Sequence, residues 1–494
     1  MPPYEVQSVA LIEIGSRKQF FVDDYLIESM SDCTTVLNRA EKVEHNPIVR
    51  PEHPWEGNDV GMGHVMWDDE QGLFTMRYST TKWAVSQGDG EVIVEGEGAG
   101  RTCLATSRDG IHWEKPVVGE VEFEGSKDNN ILPPEWLMGY TYRDPNATDQ
   151  AKRYRGHVRT GDTKSPGMTF DLYFSPDFKT WTPYEHNPII DTSPRIGRWG
   201  PTDFMGWDPI RRKYAVHMEN CLHRRAPLGK RLIGRSESDD GIEWSEPETI
   251  LLPDRLDPSD TEFYDLMVSA YEGMYVGLLW IFSTTNMTHH PEAVFSRDGI
   301  HYRRDYRRPF IERGSNPADF DSVSLYADAP IVHGGQIFTY YTGRNWRSPE
   351  TLMELGDRSK GAIGLAVTRL DGFVSVDGTK GRATDVPPGR GQIAEYSELV
   401  TRSFGFTGSE LHLNVQAALQ QWGAGPCEIR VEVLEPNHAY IDGYEFDDAD
   451  PITTDSIDHL ASWKGSSDLS RFEGKTIKLR FYFKNAKLYS FRFR

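Results

Sequence analysis

The chain has 494 residues, enough for two or three domains with large cores. Its 54 Lys and Arg stand against 75 Asp and Glu, a formal charge of −21. That balance repels DNA, RNA and acidic lipid, so neither nucleic acid nor membrane is an expected partner; it suits an enzyme acting on neutral small molecules or sugars.

The first twenty residues, "MPPYEVQSVALIEIGSRKQF", lack a charged segment followed by an apolar one. The chain as written is therefore expected in the cytoplasm, or outside it if a leader was trimmed. No run of 18 apolar residues could span a bilayer. Cys33, Cys103, Cys221 and Cys427 lie far apart with no CxxC or Cys–His spacing, which points to buried free thiols. Residues 18–45 are expected to add a closing strand to the structure that follows.

From residue 50 the chain repeats. "SRDGIHWEKP" begins at Ser107 and returns as "SPDFKTWTPY" at Ser175, "SDDGIEWSEP" at Ser238 and "SRDGIHYRRD" at Ser296, with a weaker echo, "TRLDGFVSVDG", at Thr368. The aromatics Trp113, Trp181, Trp244 and Tyr302 are spaced by 68, 63 and 58 residues. Each copy reads as strand, tight Asp/Gly turn and strand. "HNPIV" at 45–49 recurs as "HNPII" at 186–190, and each such phrase precedes a second hairpin, as in "HVMWDDEQGLFTMRYST". One unit is four strands. Such units cannot bury both faces alone, and stacked in a ring they make a β-propeller. The expected fold is all-β: a five-bladed β-propeller over residues 1–375, then a β-sandwich over 376–494, where "CEIRVEVLE" and "TIKLRFYFK" alternate with period two.

The innermost strand of each blade would line a central pocket. At the start of those strands stand Asp59, Glu135, Asp203, Glu262 with Asp265, and Asp319 with Asp321. Acids on loops are common in so acidic a chain, and capping a turn or holding a structural calcium ion is the plain reading of each. In register they suit glycoside hydrolysis, which needs one protonated and one ionised carboxyl. Crowded carboxyls split their pKa values and supply both. Trp55, Trp199 and Tyr264 flank these acids as faces for a sugar ring, with ordinary packing as the alternative. Arg143, Arg198 and Arg344 could meet hydroxyls or a carboxylate, and His64 and His217 sit on inner hairpins. There is no GxxxxGK[ST], GxSxG or HExxH motif, and no cofactor is expected.

The phrases "FFVDDYLIES", "HNPIVRPEHPWEG", "YEGMYVGLLWIF" and "SRDGIHW" resemble a bacterial group that is family-32-like at its N-terminus, within the five-bladed propeller glycoside hydrolases of families 32 and 43. The ending "LYSFRFR" resembles that group too. The resemblance implies a glycosidase acting on a furanoside or an unusual plant or algal sugar. It also implies three acids on successive blades. Asp59 resembles the first-blade base or nucleophile. "RDP" at 143–145 resembles the family stabiliser, although its position matches the turn phrases "WDD" and "WDP". The third-blade acid is Asp203 rather than Glu, and the glutamate comes one blade later. The assignment is Glu262 as general acid, Asp59 as base or nucleophile, Asp203 as stabiliser or alternative base, and Asp321 in reserve. The competing reading is a non-catalytic sugar-binding propeller with a cation among the acids; a lyase or phosphorylase is a third.

Overall fold

The fold is that of a computed structural model, which describes residues 11–68, 71–85, 92–94, 100–136, 139–160, 169–192, 199–220, 228–347, 349–358, 360–378, 396–417 and 427–494. It is all-β: the one α-helix among these residues spans only Pro349–Leu355. Contacts divide the chain into two compact units, residues 40–331 with 338–367, and residues 1–39 with 332–337 and 368–494. This division does not follow chain order. The first 39 residues join the C-terminal unit because their strands find partners there: Ile27–Ser31 pairs with Ser397–Thr401, and Cys33–Leu37 with Val374–Gly378.

In the larger unit, antiparallel sets of strands follow one another along the chain. The first joins Asp59–Asp68, Leu73–Thr81 and Arg101–Ser107. The second joins Tyr140–Arg143, Tyr154–Thr160, Thr169–Ser175 and Thr182–Pro183. Trp199–Asp208, Lys213–Asn220, Ile233–Ser238 and Glu248–Leu251 make the third. Thr261–Tyr271, Met274–Ser283 and Thr288–Ser296 make the fourth. The fifth contains Ser324–Ala327, Gln336–Arg344 and Gly361–Arg369. Its outermost strand is Glu41–Lys42, so the N-terminal region supplies an edge strand from residues 41–42 while residues 27–37 serve the other unit.

The repeated Ser-x-Asp phrase is one turn built four times. In the first copy Asp109 Oδ1 accepts the backbone N–H groups of Ile111 and His112 at 2.9 and 2.8 Å, and Ser107 Oγ accepts that of Gly110 at 2.9 Å. Asp177, Asp240 and Asp298 repeat the pattern. The turn needs a positive φ, which Gly110, Gly241 and Gly299 adopt at 74°, 72° and 75°; Phe178 takes that place at 64° in the second copy. The echo at Thr368 is different. Asp371 there accepts from Lys18 Nζ at 3.1 Å and Ser490 Oγ at 2.8 Å, within the C-terminal unit.

Three of the four hairpin aromatics, Trp113, Trp244 and Tyr302, lie in the seams between strand sets. Trp113 packs with Phe74 of the first set and Tyr340 of the fifth, inside a cluster that also holds Val60, Met76, Phe338 and Ile363. Trp244 joins Phe170 of the second set and Phe204 of the third, and Tyr302 joins Ile233 of the third and Phe263 of the fourth. First and fifth sets also share a ladder pair, Asp59 with Gly361, as do fourth and fifth, His289 with Ser324. Polar latches cross the same seams. Tyr214 donates to Asp144 at 2.9 and 3.0 Å, and Tyr275 donates to Asp208 at 2.8 Å to each oxygen. Each aspartate also accepts from an arginine of its own set, Arg155 at 2.7 Å and Arg235 at 2.5 Å. Asp144 of "RDP" is thus a turn residue committed to a seam.

Among its described residues the smaller unit has two six-stranded sheets. One apolar cluster draws on both, with Leu399, Phe404, Val431 and Phe481 from one and Leu413, Val376, Leu488 and Phe491 from the other. Cys33, Cys103 and Cys427 are free thiols, and Cys221 lies outside the described residues.

The seam latch sets a measurable cost. Tyr275→Phe removes a hydroxyl from a buried carboxylate and should destabilise by about 1–3 kcal/mol. Asp208→Ala also takes from the buried Arg235 one of its two described carboxylates, leaving it Glu237 at 2.9 Å, and should cost more, about 3–5 kcal/mol. Denaturant unfolding of both variants checks the size and the order.

Candidate active site

Innermost strands position the site through bulges. The ladder slips by one residue between Met62 and His64, between Pro201 and Asp203, and between Phe263 and Asp265. A bulge bends its strand and re-aims the side chain beside it. His64, Asp203 and Asp265 thereby line one cavity of about 900 Å³. The second set contributes Tyr140, the first residue of its inner strand, and the fifth contributes Asp328, just past Ser324–Ala327. Three aspartates from three successive sets therefore share one hollow.

Aromatic faces line the same space. Tyr264 and Trp280 stack with centroids 6.5 Å apart, Tyr326 lies 5.0 Å from Trp280, and Trp280 Nε1 is tied to the Ala327 carbonyl at 2.8 Å. Rings with fixed faces on an apolar wall suit the C–H faces of a sugar, and the acids beside them suit its hydroxyls.

Burial governs the electrostatics. Asp203 is 8% exposed, and the loss of water pushes its carboxyl up to about 7; the Val268 N–H, donating at 3.3 Å, opposes this only in part. Asp328 is pushed up to about 7 by the same cause, and the charge of Asp203 adds to it. Burial, then Asp265, Asp203 and Asp328, hold the Tyr140 hydroxyl well above its ordinary value. His217 Nδ1 stands 3.4 Å from Asp203 Oδ2, and burial drives that imidazole down to about 3, so it is neutral beside the acid. His64 is driven down to about 4 by burial and by Arg77. Near neutral pH, Asp203 and Asp328 divide between protonated and ionised forms, the two states that acid–base chemistry needs.

The residues singled out from sequence are spread over several places. Asp203, Tyr264 and His64 line the cavity, and Asp265, named beside Glu262, lines it too. Asp59 is buried one step away: Arg344 grips it at 2.6 and 3.1 Å, and the Arg344 guanidinium lies 5.9 Å from the Tyr326 ring. Gly361 is required there, since a Cβ would stand 2.4 Å from the Asp59 carboxyl carbon. Glu262 Oε2 accepts from Arg231 at 2.8 Å, and Arg231 lies 5.2 Å from the Tyr264 ring. Both acids are thus occupied by a guanidinium and abut the cavity through it. Asp321 belongs to a different cavity, with Lys42 at 2.6 Å and Tyr341 at 2.9 Å. Arg143 lines a shallow surface hollow at the turn of the second set. Trp55 donates to Asn130 at 2.8 Å and stacks on His53, and Trp199 packs against Gly234 in a seam; both are packing residues. Arg198 and the side chain of Glu135 lie outside the described residues.

Asp328 was not picked out, because it sits after a short strand rather than at its start. The register that matters is counted back from each inner hairpin turn, where the bulges fall. Among the described residues, no three His, Cys, Asp or Glu side chains are arranged to hold a metal ion.

No family model matches the chain. Over 140 residues it is 30% identical to the sucrose-6-phosphate hydrolase of Escherichia coli, a match covering 28% of this chain and 25% of that protein. The chain is similar to propeller glycoside hydrolases. It spans about a quarter of the length of that curated relative. Among solved structures, it is similar to a β-1,2-mannobiose phosphorylase from Listeria innocua in complex with β-1,2-mannobiose, with 13% identity and a TM-score of 0.44 over 67% of this chain and 97% of that one. A thermostable family-43 glycoside hydrolase is similar at 12% identity and a TM-score of 0.42, over 70% of this chain and 99% of that one.

The buried carboxyl of Asp203 makes a prediction about stability. An unfolded aspartate releases its proton near pH 4, whereas folded Asp203 keeps it to about 7. The folded state binds the extra proton between these values, so stability falls as pH rises through that window. Asp203→Asn should flatten the fall, making the variant relatively more stable at pH 8 than at pH 5. Thermal unfolding of both proteins at the two pH values checks the sign.

Proposed function

We propose that the chain is a glycoside hydrolase that cleaves its substrate in the cavity shared by Asp203, Asp265 and Asp328. The observation that carries this reading is the convergence of those three carboxyls with the Tyr264, Trp280 and Tyr326 rings in one hollow. The fold proposed to hold it is a five-bladed β-propeller. Its seams run between successive strand sets and between the first and the last, and the smaller unit is a β-sandwich. The seam clusters support the ring, since each unites residues of neighbouring sets.

In this reading Asp203 is the general acid. It enters the reaction protonated because its site is dry, and it passes the proton to the leaving oxygen. Asp328 or Asp265 works ionised, as nucleophile or as the base that takes a proton from water. Neutral His217, beside Asp203, adds no charge that would pull the proton away. The role first expected of Glu262 passes to Asp203, because Arg231 already occupies the Glu262 carboxylate. Asp59 with Arg344 and Glu262 with Arg231 become the charge-balanced walls behind the stacking rings. The resemblance stated above puts furanosides first among substrates to try.

A screen of aryl glycosides and plant or algal oligosaccharides tests the reading. Turnover of one of them should fall at least about 100-fold in Asp203→Asn, the usual size of general acid catalysis. The rate should also decline on the alkaline side as the acid ionises, with a midpoint near the value of about 7 held by Asp203. Full turnover in Asp203→Asn, with Glu262→Gln inactive, would return the acid to Glu262.

A further inference from the structure

Among the described side chains lining the cavity, one carries a positive charge: Arg159, on the strand Tyr154–Thr160. It is exposed to the hollow, and no described carboxylate or carbonyl takes its guanidinium. Every other arginine near the channel walls that has been placed above is committed. Arg231 serves Glu262, Arg344 serves Asp59, and Arg235 and Arg155 serve the seam aspartates Asp208 and Asp144. Arg77 donates to the backbone carbonyls of Trp136 and Phe178 at 2.6 and 2.5 Å. Arg159 acts on the Tyr140 hydroxyl in the sense opposite to that of Asp265, Asp203 and Asp328. One cation and three carboxyls therefore surround the same tyrosine.

We propose that Arg159 binds an anionic group on the substrate, and that the substrate is an acidic saccharide carrying a uronic acid carboxylate beside Tyr140. A neutral sugar would leave the guanidinium with nothing but water. An anionic sugar would be repelled by the carboxyls unless a cation met its charge, and Arg159 is placed to meet it. Guanidinium and carboxylate match as a two-pronged pair, and the pair strengthens as the ligand displaces water from the cavity. This deepens the glycoside hydrolase reading by naming the substrate class, and it rests on that reading only for what happens after binding.

The test is tryptophan fluorescence titration of the full chain at low salt, since Trp280 lines the cavity. The probes are disaccharides ending in glucuronate or galacturonate, their methyl esters, and a neutral disaccharide carrying a 6-sulfate. The wild type should bind one of the acids about 10-fold to 100-fold more tightly than its ester, the usual weight of a hydrogen-bonded charge. Arg159→Gln should bring that ratio close to one, Arg159→Lys should keep part of it, and Asp203→Asn, which removes a repelling carboxyl, should not lower it. Equal affinity for acid and ester, no binding of either, or a preference that survives in Arg159→Gln would each overturn the proposal. Tighter binding of the sulfated sugar than of both uronates would overturn the uronate in favour of a sulfate ester. An acid preference lost in Arg159→Gln, in a protein that turns over no glycoside, would uphold the Arg159 site and sink hydrolysis.

Discussion

An antiparallel sheet with apolar side chains on both faces has to be buried between two others, and this requirement organises the larger unit. The fourth strand set shows it most plainly. Met274–Ser283 and Thr288–Ser296 are buried almost throughout rather than on alternate residues. Such a set is incomplete without neighbours on either side. The seam clusters supply apolar cover, and the Tyr214–Asp144 and Tyr275–Asp208 latches fix how adjoining sets meet. Once the sets are held in sequence, the bulged residues His64, Asp203 and Asp265 of their inner strands are brought to a common cavity with no direct chain connection between them.

That interior is costly to build from acids. A carboxyl removed from water resists ionising, and a second one nearby resists more. The protein deals with its acids in two ways. Asp59, Glu262, Asp144 and Asp208 each receive a guanidinium, which offsets their burial. Among the described residues, Asp203 receives only a backbone N–H and the neighbourhood of a neutral imidazole, and Asp328 an N–H from Ala329. The difference between the two classes lies in the partners the fold supplies, since the residue types are the same. With no described cation to meet them, Asp203 and Asp328 are pushed by burial up to about 7, where they exchange a proton near neutral pH.

Much of the scaffold was legible because turns are local. The Ser-x-Asp phrase can be read from a handful of residues, and the structure builds it from those same residues through short backbone bonds. Strand type, the hairpins and the packing role of Trp113 and Trp244 follow from such local signals and from period. The echo at Thr368 misled because its Asp-Gly is the same local signal with different partners, Lys18 and Ser490, that lie far off in sequence. The destination of residues 27–37 was hidden for the same reason. Their strands are ordinary, and only the choice between partners at 361–369 and at 374–401 decides which unit they join.

The site was legible at the level of residue type and blurred at the level of register. Counting forward from the "HNPI" phrases puts Asp59, Asp203 and Glu262 at one height. The bulges put His64, Asp203 and Asp265 there instead, because one extra residue on a strand turns the following side chain to the other face. A one-residue slip converts Glu262 from a cavity acid into the partner of Arg231 and brings Asp265 inward. Arg344, which looks like a ligand-binding arginine in the sequence, is the counter-ion of Asp59, and Arg231 is that of Glu262. Arg159 is different because its strand carries no acid at the matching place. The inner strand of the second set begins at Tyr140, and no described carboxylate pairs with the positive charge that faces it. In a hollow whose other charges are negative, an unmatched cation is the feature on which a ligand's own charge would act.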